Sequence, residues 1–236
     1  MNDTLPEADE LPLLRALTPA RRAALLRHAS VHRVAAGSVL FEQGETPSFQ
    51  LLLLDGSVHL LGQSSSGPEA LIEVVNAPDL IIPAAVLTGA AYLMRARTPG
   101  PARLLLIQAD AFRAAVARDA TLARAVIDDL AGQYRRMVRQ LKNLKLRSTH
   151  QRVGCHLLKL ARQQGWPERV TLPYQKSLVA SELGMTRESF SRALSALQHE
   201  GISVEGDAIL IRDPHRLAAA SGLDLLIDGP DAAPPP

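Results

Sequence analysis

The segment from Lys176 to His199 constrains this chain more than any other, because its apolar residues, glycine and hydroxyl fall at spacings that few backbones satisfy. Leu178, Val179 and Leu183 make the buried face of a short helix over Lys176–Leu183. Gly184-Met185 then supplies a tight turn, since glycine tolerates the left-handed conformation that ends a helix. Thr186 is a good N-cap for a second helix over Arg187–His199, whose inward residues are Phe190, Leu194 and Leu197. Helix, glycine turn and helix at this spacing predict a helix-turn-helix. Beyond Gly201, the alternation of Ile202, Val204, Ile209 and Ile211 around Gly206-Asp207 predicts a small β-hairpin, or wing.

The outward face of the second helix opens with Arg187, Glu188, Ser191 and Arg192. A recognition helix presents its N-terminal residues to base edges in the major groove. Arg can bond guanine bidentately, Glu can accept from a cytosine amino group, and Ser can serve either neighbour. Ser189 and Lys176 complete the candidate DNA contacts. A surface helix with an incidental Glu188–Arg192 pair is the plainer alternative, and the complete helix-turn-helix with its wing argues against it.

Three regimes precede this segment. Leu11 to Ser30 reads as helical, with Thr18-Pro19 as N-cap and first turn and Leu25 and Leu26 as anchors. From Val31 to Ile107 short β-rich runs (39–41, 51–54, 58–61, 71–75 and 104–107) alternate with glycines, which predicts an antiparallel sandwich or barrel. Gln63–Pro68 reads as a hairpin loop. From Asp110 the pattern is helical again, and Ile127, Leu130, Tyr134, Met137, Leu141 and Leu144 form an a/d seam suited to pairing with a second copy of the chain. Packing of that stripe on its own β-rich domain is the other reading. Ser148–Arg152 is the expected hinge, followed by a helix over Val153–Gln164. The fold class is therefore α+β. A β domain over 11–119, a dimerisation helix over 120–147, a winged helix-turn-helix domain over 148–223 and a disordered tail over 228–236 are expected.

Charge and composition narrow the function. Nine Lys or Arg and no Asp or Glu lie between Leu130 and Pro167, which suits either a polyanion partner or a solvated helix face. No apolar run approaches the roughly 20 residues needed to span a bilayer, and no signal-peptide pattern opens the chain, so a cytoplasmic location is expected. Cys155 is the single cysteine, which excludes an internal disulfide and an all-cysteine iron–sulfur cluster. It lies among Val153, Leu157 and Leu158 and reads as a small core residue rather than a redox switch. A phosphate-cradling glycine loop, a metal-spaced Cys/His cluster and a nucleophile elbow are all missing from the sequence, so an enzyme is not expected.

Glu188-Ser189-Phe190-Ser191-Arg192 resembles the E-x-x-S-R recognition motif of the FNR branch of the cyclic AMP receptor/FNR (CRP/FNR) regulators. The resemblance runs from about Leu11 to Ala220. Gly37, Leu40, Phe41, Gly44, Glu45, Gly56 and Val58 match the family's jelly-roll pattern, and the long helix matches its dimer helix. It implies a homodimer on double-stranded palindromic DNA with TTGAT-like half-sites, read by Glu188, Ser191 and Arg192. RNA polymerase is the implied partner and activation the commoner role. Arg187 departs toward the cyclic AMP receptor branch, whose R-E-x-x-x-R motif reads TGTGA-like half-sites; here it shifts the outer base preference or holds a phosphate.

The resemblance also frames the effector. Family members that bind cyclic nucleotides use a G-E pair and a later R-S pair around the phosphate. Here Pro83 stands near the Glu position and Ala90-Ala91 near the Arg-Ser pair, which leaves a buried phosphate without a cation and argues against cyclic AMP. Leu80, Ile81, Ile82, Val86 and Leu87 are the candidate lining of an apolar pocket. This combination resembles the cluster-free dissimilatory nitrate respiration subgroup, which responds to nitric oxide and is associated with haem. Haem needs an axial ligand, commonly His or Met, and His28, His32, His59 and Met94 are the candidates. With Val58 and Leu60 inward, strand alternation sends His59 to solvent. A regulator without an effector, its β domain serving only dimerisation, fits the same losses.

Overall fold

The computed structural model describes residues 12–229 apart from 16, 28, 64–66, 68, 168 and 206–207, together with 232 and 234. His28, most of the Gln63–Pro68 loop, the Gly206-Asp207 turn and most of the 228–236 tail thus lie outside the described residues. The chain forms two compact units, 1–134 and 135–236, divided inside one long helix.

The first unit opens with α1 (Pro12–Arg15) and α2 (Pro19–Leu26), the latter begun by Thr18 in extended conformation with Pro19 at the first position. Two antiparallel sheets follow. One has the order β1-β8-β3-β6 (Ala29–Val34, Ala102–Gln108, Phe49–Asp55, Asp79–Ile81) and the other β2-β7-β4-β5 (Val39–Phe41, Arg95–Arg97, Ser57–Gly62, Ala70–Asn76). Leu51, Leu53 and Leu104 from the first sheet meet Phe41, Val58, Leu60, Val75 and Ala96 from the second. The first sheet's other face carries Leu52, Leu105 and Ile107 against Leu14, Leu25, Phe112, Leu122 and Val126. Strands buried on both faces explain why 51–54 and 104–107 read as unbroken apolar runs rather than alternating ones. Burial of a side chain such as Phe112 is worth about 1.5–3 kcal/mol. Helix α3 (Pro83–Thr88) follows β6, and α4 (Ala109–Arg118) leads to α5 (Ala120–Leu146).

Two expectations fail in this unit, both through strand periodicity. The five residues expected to line one pocket divide between two cores. Leu80 pairs with Leu52 and Ile81 with Leu51, so adjacent β6 side chains go to opposite faces. Leu80, Val86 and Leu87 join the helix-side core, whereas Ile81 and Ile82 join the core between the sheets. His59 does not face solvent either, being only 7% exposed. β4 is an inner strand, and His59 stands directly opposite Val74 and Arg97 on the strands either side.

On α5, Leu122 and Val126 are buried and Leu130 packs beside them, but Ile127, Tyr134, Met137, Leu141 and Leu144 are 38–63% exposed. In the second unit, α6 (Thr149–Gln163) begins at a Ser148 capping box with Gln151. The joint therefore lies at Arg147 and Ser148 rather than over Ser148–Arg152, because Arg147 falls outside α5 and 149–152 already form the first helical turn. A close α6 neighbour is α9 (Pro214–Ser221), and a Cβ at Gly154 would lie 1.9 Å from Ser221 Oγ. Only glycine permits that approach. The helices α7 (Lys176–Glu182) and α8 (Arg187–Leu197) pack on α6 through Val153, Leu157, Val179, Phe190 and Leu194. The wing pairs β10 (Ile202–Glu205) with β11 (Ala208–Ile211), and β9 (Arg169–Thr171) adds a third strand that the sequence reading lacked. Asp228, expected in a disordered tail, instead ends helix α10 (Leu225–Asp228) and is ion-paired with Arg147. Its carboxylate satisfies a guanidinium that has left water, which fixes the segment.

Candidate nucleic-acid interface

Helix α8 is two-sided. Phe190, Ala193, Leu194 and Leu197 are at most 5% exposed, whereas Arg187, Glu188, Ser191 and Arg192 lie on the exposed side. The start of the helix is fixed by Thr186, whose hydroxyl accepts from the Ser189 N–H at 3.2 Å. Thr186 Oγ1 also meets Ser189 Oγ at 3.1 Å, so Ser189 is half-buried at the cap, unlike the other named contacts. The Glu188 carboxyl is held below its ordinary range by its own backbone N–H, then by Thr186, with Arg187 and Arg192 adding attraction. It is an ionised acceptor, the form needed to take a hydrogen bond from a base amino group.

The turn ahead of α8 is held from outside. Arg152 of α6 donates to the carbonyl oxygens of Leu183 at 2.5 Å and Gly184 at 3.3 Å, capping the end of α7. Gly184 has φ +63, and a Cβ there would come within 2.6 Å of Leu144 Cδ2, so both backbone and space demand glycine.

Beside α8 lies a cleft of about 400 Å³ lined by Thr171, Leu172, Tyr174, Gln175, Lys176, Ser177 and Arg187. It brings Lys176 and Arg187 to one opening, with hydroxyl and amide groups between them. The sequence reading named only these two cations; the polar run Tyr174-Gln175-Lys176-Ser177 was the signal for the rest. Gln164 pins the cleft floor, donating to Thr171 O at 2.7 Å and accepting from Thr171 N–H at 3.0 Å. The Tyr174 hydroxyl donates to Glu182; burial above all, and then this bond, raises its pKa.

Residues 31–119 match the cyclic nucleotide-binding domain family, and residues 151–220 match the Crp-like helix-turn-helix domain family. The CRP-like cAMP-activated global transcriptional regulator of Mycobacterium tuberculosis is 26% identical over 211 residues, covering 87% of this chain and 94% of that protein. The chain belongs to the CRP/FNR family of transcription regulators. The nitrogen fixation regulation protein FixK of Azorhizobium caulinodans is 31% identical over 133 residues, 53% of this chain and 54% of its own length. The structure of FixK2 from Bradyrhizobium japonicum shares the fold, with TM-score 0.67 at 21% identity over 81% of this chain and 96% of that one. As a CRP/FNR regulator the chain carries a DNA-binding helix-turn-helix in its second unit and a cyclic-nucleotide-binding-like domain in its first.

In the cyclic-nucleotide-binding-like domain, Pro83 opens α3 after Ile82, which takes φ 42 and ψ 57, a left-handed conformation costly for a β-branched residue. Ala90 and Ala91 are exposed. Tyr92 turns inward and stacks on Phe41, with ring centroids 3.6 Å apart and planes 13° apart. Burial, helped by Glu45, pushes the Tyr92 phenol up to about 12. The candidate haem ligands among the described residues stand in different surroundings. His32 is exposed on β1 with Ser30 Oγ 3.0 Å from its Nε2, His59 lies outside the core between the sheets, and only Met94 packs against that core. Among the described residues, no group of three or more His, Cys, Asp or Glu could hold a metal ion, and no helix is long and apolar enough to cross a membrane. Cys155 is buried, and desolvation pushes its thiol up to about 12, which suits a core residue better than a reactive thiolate.

Proposed function

We propose that this chain is a homodimeric, cytoplasmic, non-catalytic regulator whose helix α8 reads an inverted repeat of TTGAT-like half-sites. The observation that carries the reading is the division of labour on α8. Holding the fold falls to Phe190, Ala193, Leu194 and Leu197, which leaves Glu188, Ser191 and Arg192 on one solvent face at the offsets of the E-x-x-S-R motif. Arg187, beside Lys176 at the cleft, is placed for a backbone phosphate or the outermost base pair. Dimerisation is supported by the exposed apolar seam: Ile127, Tyr134, Met137 and Leu141 are each more than 50% exposed in the single chain. A second copy in register covers them. RNA polymerase is the expected partner when the bound regulator activates.

The experiment is binding to duplexes carrying TTGAT, TGTGA or scrambled half-sites at fixed salt. The TTGAT repeat binds tightest. Arg192→Ala weakens specific binding by about 1–3 kcal/mol and leaves nonspecific binding largely intact. An equal loss on scrambled DNA would show that α8 is not the reader.

Two readings of the first unit remain, and the inward Tyr92–Phe41 stack favours regulation without cyclic AMP. Aromatic side chains of the chain itself occupy the core between the sheets, and alanines stand where the relatives' resemblance places an arginine and a serine. The likeness to the cluster-free nitrate respiration subgroup extends to the missing cysteines. An absorption spectrum of the haem-reconstituted protein, taken with and without nitric oxide, separates the readings. A stoichiometric Soret band restores a gas sensor, and its absence beside tight DNA binding favours an effector-independent regulator.

A further inference from the structure

The joint between α5 and α6 consists of Arg147 and Ser148 alone, and Arg147 is buried in it. Its side chain is 4% exposed and that of Asp228 is 14% exposed. Nη1 donates to Asp228 Oδ1 at 2.7 Å and Nη2 to Oδ2 at 2.5 Å, the forked arrangement in which guanidinium and carboxylate match best. The other bonds reach Asn143 Oδ1 at 3.2 Å, one turn back on α5, and the Gly222 carbonyl at 3.1 Å, just after α9. Asp228 in turn accepts from the Asp224 N–H at 2.9 Å. The bond to Asp228 holds the guanidinium pKa above its ordinary value against the opposing pull of burial, so the group stays charged.

Helix α10 contributes little apolar burial of its own. Leu225 and Leu226 are 50% and 76% exposed, and Ile227 alone of its apolar side chains is buried. What α10 delivers is the Asp228 carboxylate. A desolvated guanidinium is tolerated only when its donors find acceptors, and here they come from α5, from the end of α9 and from α10. A joint residue has two soft backbone dihedrals. Ser148 is fixed by its capping box and Arg147 by this four-way clamp.

We infer that Arg147 is a positioning residue for DNA recognition: clamped by Asp228, it sets the angle between the 135–146 half of α5 and α6, and so the direction in which α8 is carried from the dimer seam. This rests on the dimeric DNA-binding reading proposed above. α8 packs on α6 through Phe190 and Leu194 against Val153 and Leu157, so turning α6 turns α8 with it. In a dimer, a fixed angle becomes a fixed half-site separation.

The test uses inverted TTGAT repeats whose central spacer varies one base pair at a time, a single half-site duplex, and thermal unfolding of each protein. The unchanged protein should favour one spacer about tenfold over its neighbours, as expected for rigid half-site spacing. Arg147→Met and Asp228→Asn should flatten that preference to about threefold or less while keeping single half-site affinity. A merely structural role moves unfolding but not spacer preference. Folded variants that keep the sharp preference overturn the inference. So does failure of both variants to fold, because the pair is then a general stability element; Asp228→Asn, which preserves side-chain shape, guards against misreading Arg147→Met alone. If the unchanged protein binds no inverted repeat, the dimeric reading itself is wrong, an outcome distinct from the others.

Discussion

The two units of this protein keep their polar residues in opposite ways. In the second unit, Arg187, Glu188, Ser191 and Arg192 stand exposed on a helix whose other face is sealed into the core. In the first, Pro83, Ala90 and Ala91 carry no charge, and the interior carries a Phe41–Tyr92 stack. Exposed charge at fixed helical offsets has a cost in none of the fold's own contacts, so it reads as function. A filled interior reads as stability. The exposed face of α8 thus says more about a partner than the filled interior of the first unit says about a ligand.

The largest expected effect sharpens the division between units. Phe190 is fully buried beneath α8, and Phe190→Ala should cost the second unit about 3–5 kcal/mol. Thermal unfolding should then show a lowered transition for that unit while a Tyr92 fluorescence or near-ultraviolet signal from the first is retained. A single transition lowered throughout breaks the comparison.

Acid provides the next contrast. His156 is buried in α6, and desolvation, opposed by Glu182 and reinforced by Lys159, lowers its pKa to about 4. A depressed histidine pKa means the unfolded chain binds the extra proton, so stability is full above the ordinary value near 6.5 and falls as the pH drops toward 4. The loss at the acid end of that window is about 3 kcal/mol. Urea titrations between pH 7 and 4 should show His156→Gln flattening this dependence. An unchanged slope removes His156 as its source.

Capping gives a smaller effect. Thr186→Ala should destabilise the start of α8 by about 0.5–2 kcal/mol, read as faster amide exchange at Ser189. Smallest of all is the first unit's response to cyclic AMP: saturating nucleotide should leave its melting temperature unmoved, because binding only to the folded state would raise it. A clear rise places a phosphate site in the domain after all.

Much of this was legible in the sequence because it is periodic or local. The Lys176–Leu183 and Arg187–His199 helices, the glycine turn and the wing strands emerge within a residue or two of their observed ends. Leu51–Leu54 and Leu104–Ile107 read as strands, but their burial on two sides needed the helices that only the fold brings in. His59 misled because alternation counts two faces and not the neighbouring strands on either side. The pocket misled because a three-residue strand splits Leu80 from Ile81. Strand β9 is three residues with one buried side chain, and α10 is held by Arg147 from 81 residues away, so neither leaves a local signature.

The most direct test of the account is selection of bound sequences from a randomised duplex pool by the full chain, with no effector added. An inverted repeat with TTGAT-like half-sites at one spacing should be enriched, and the enrichment should be lost when Glu188 or Arg192 is replaced by alanine. Enrichment of no sequence, or of one indifferent to those two residues, contradicts it.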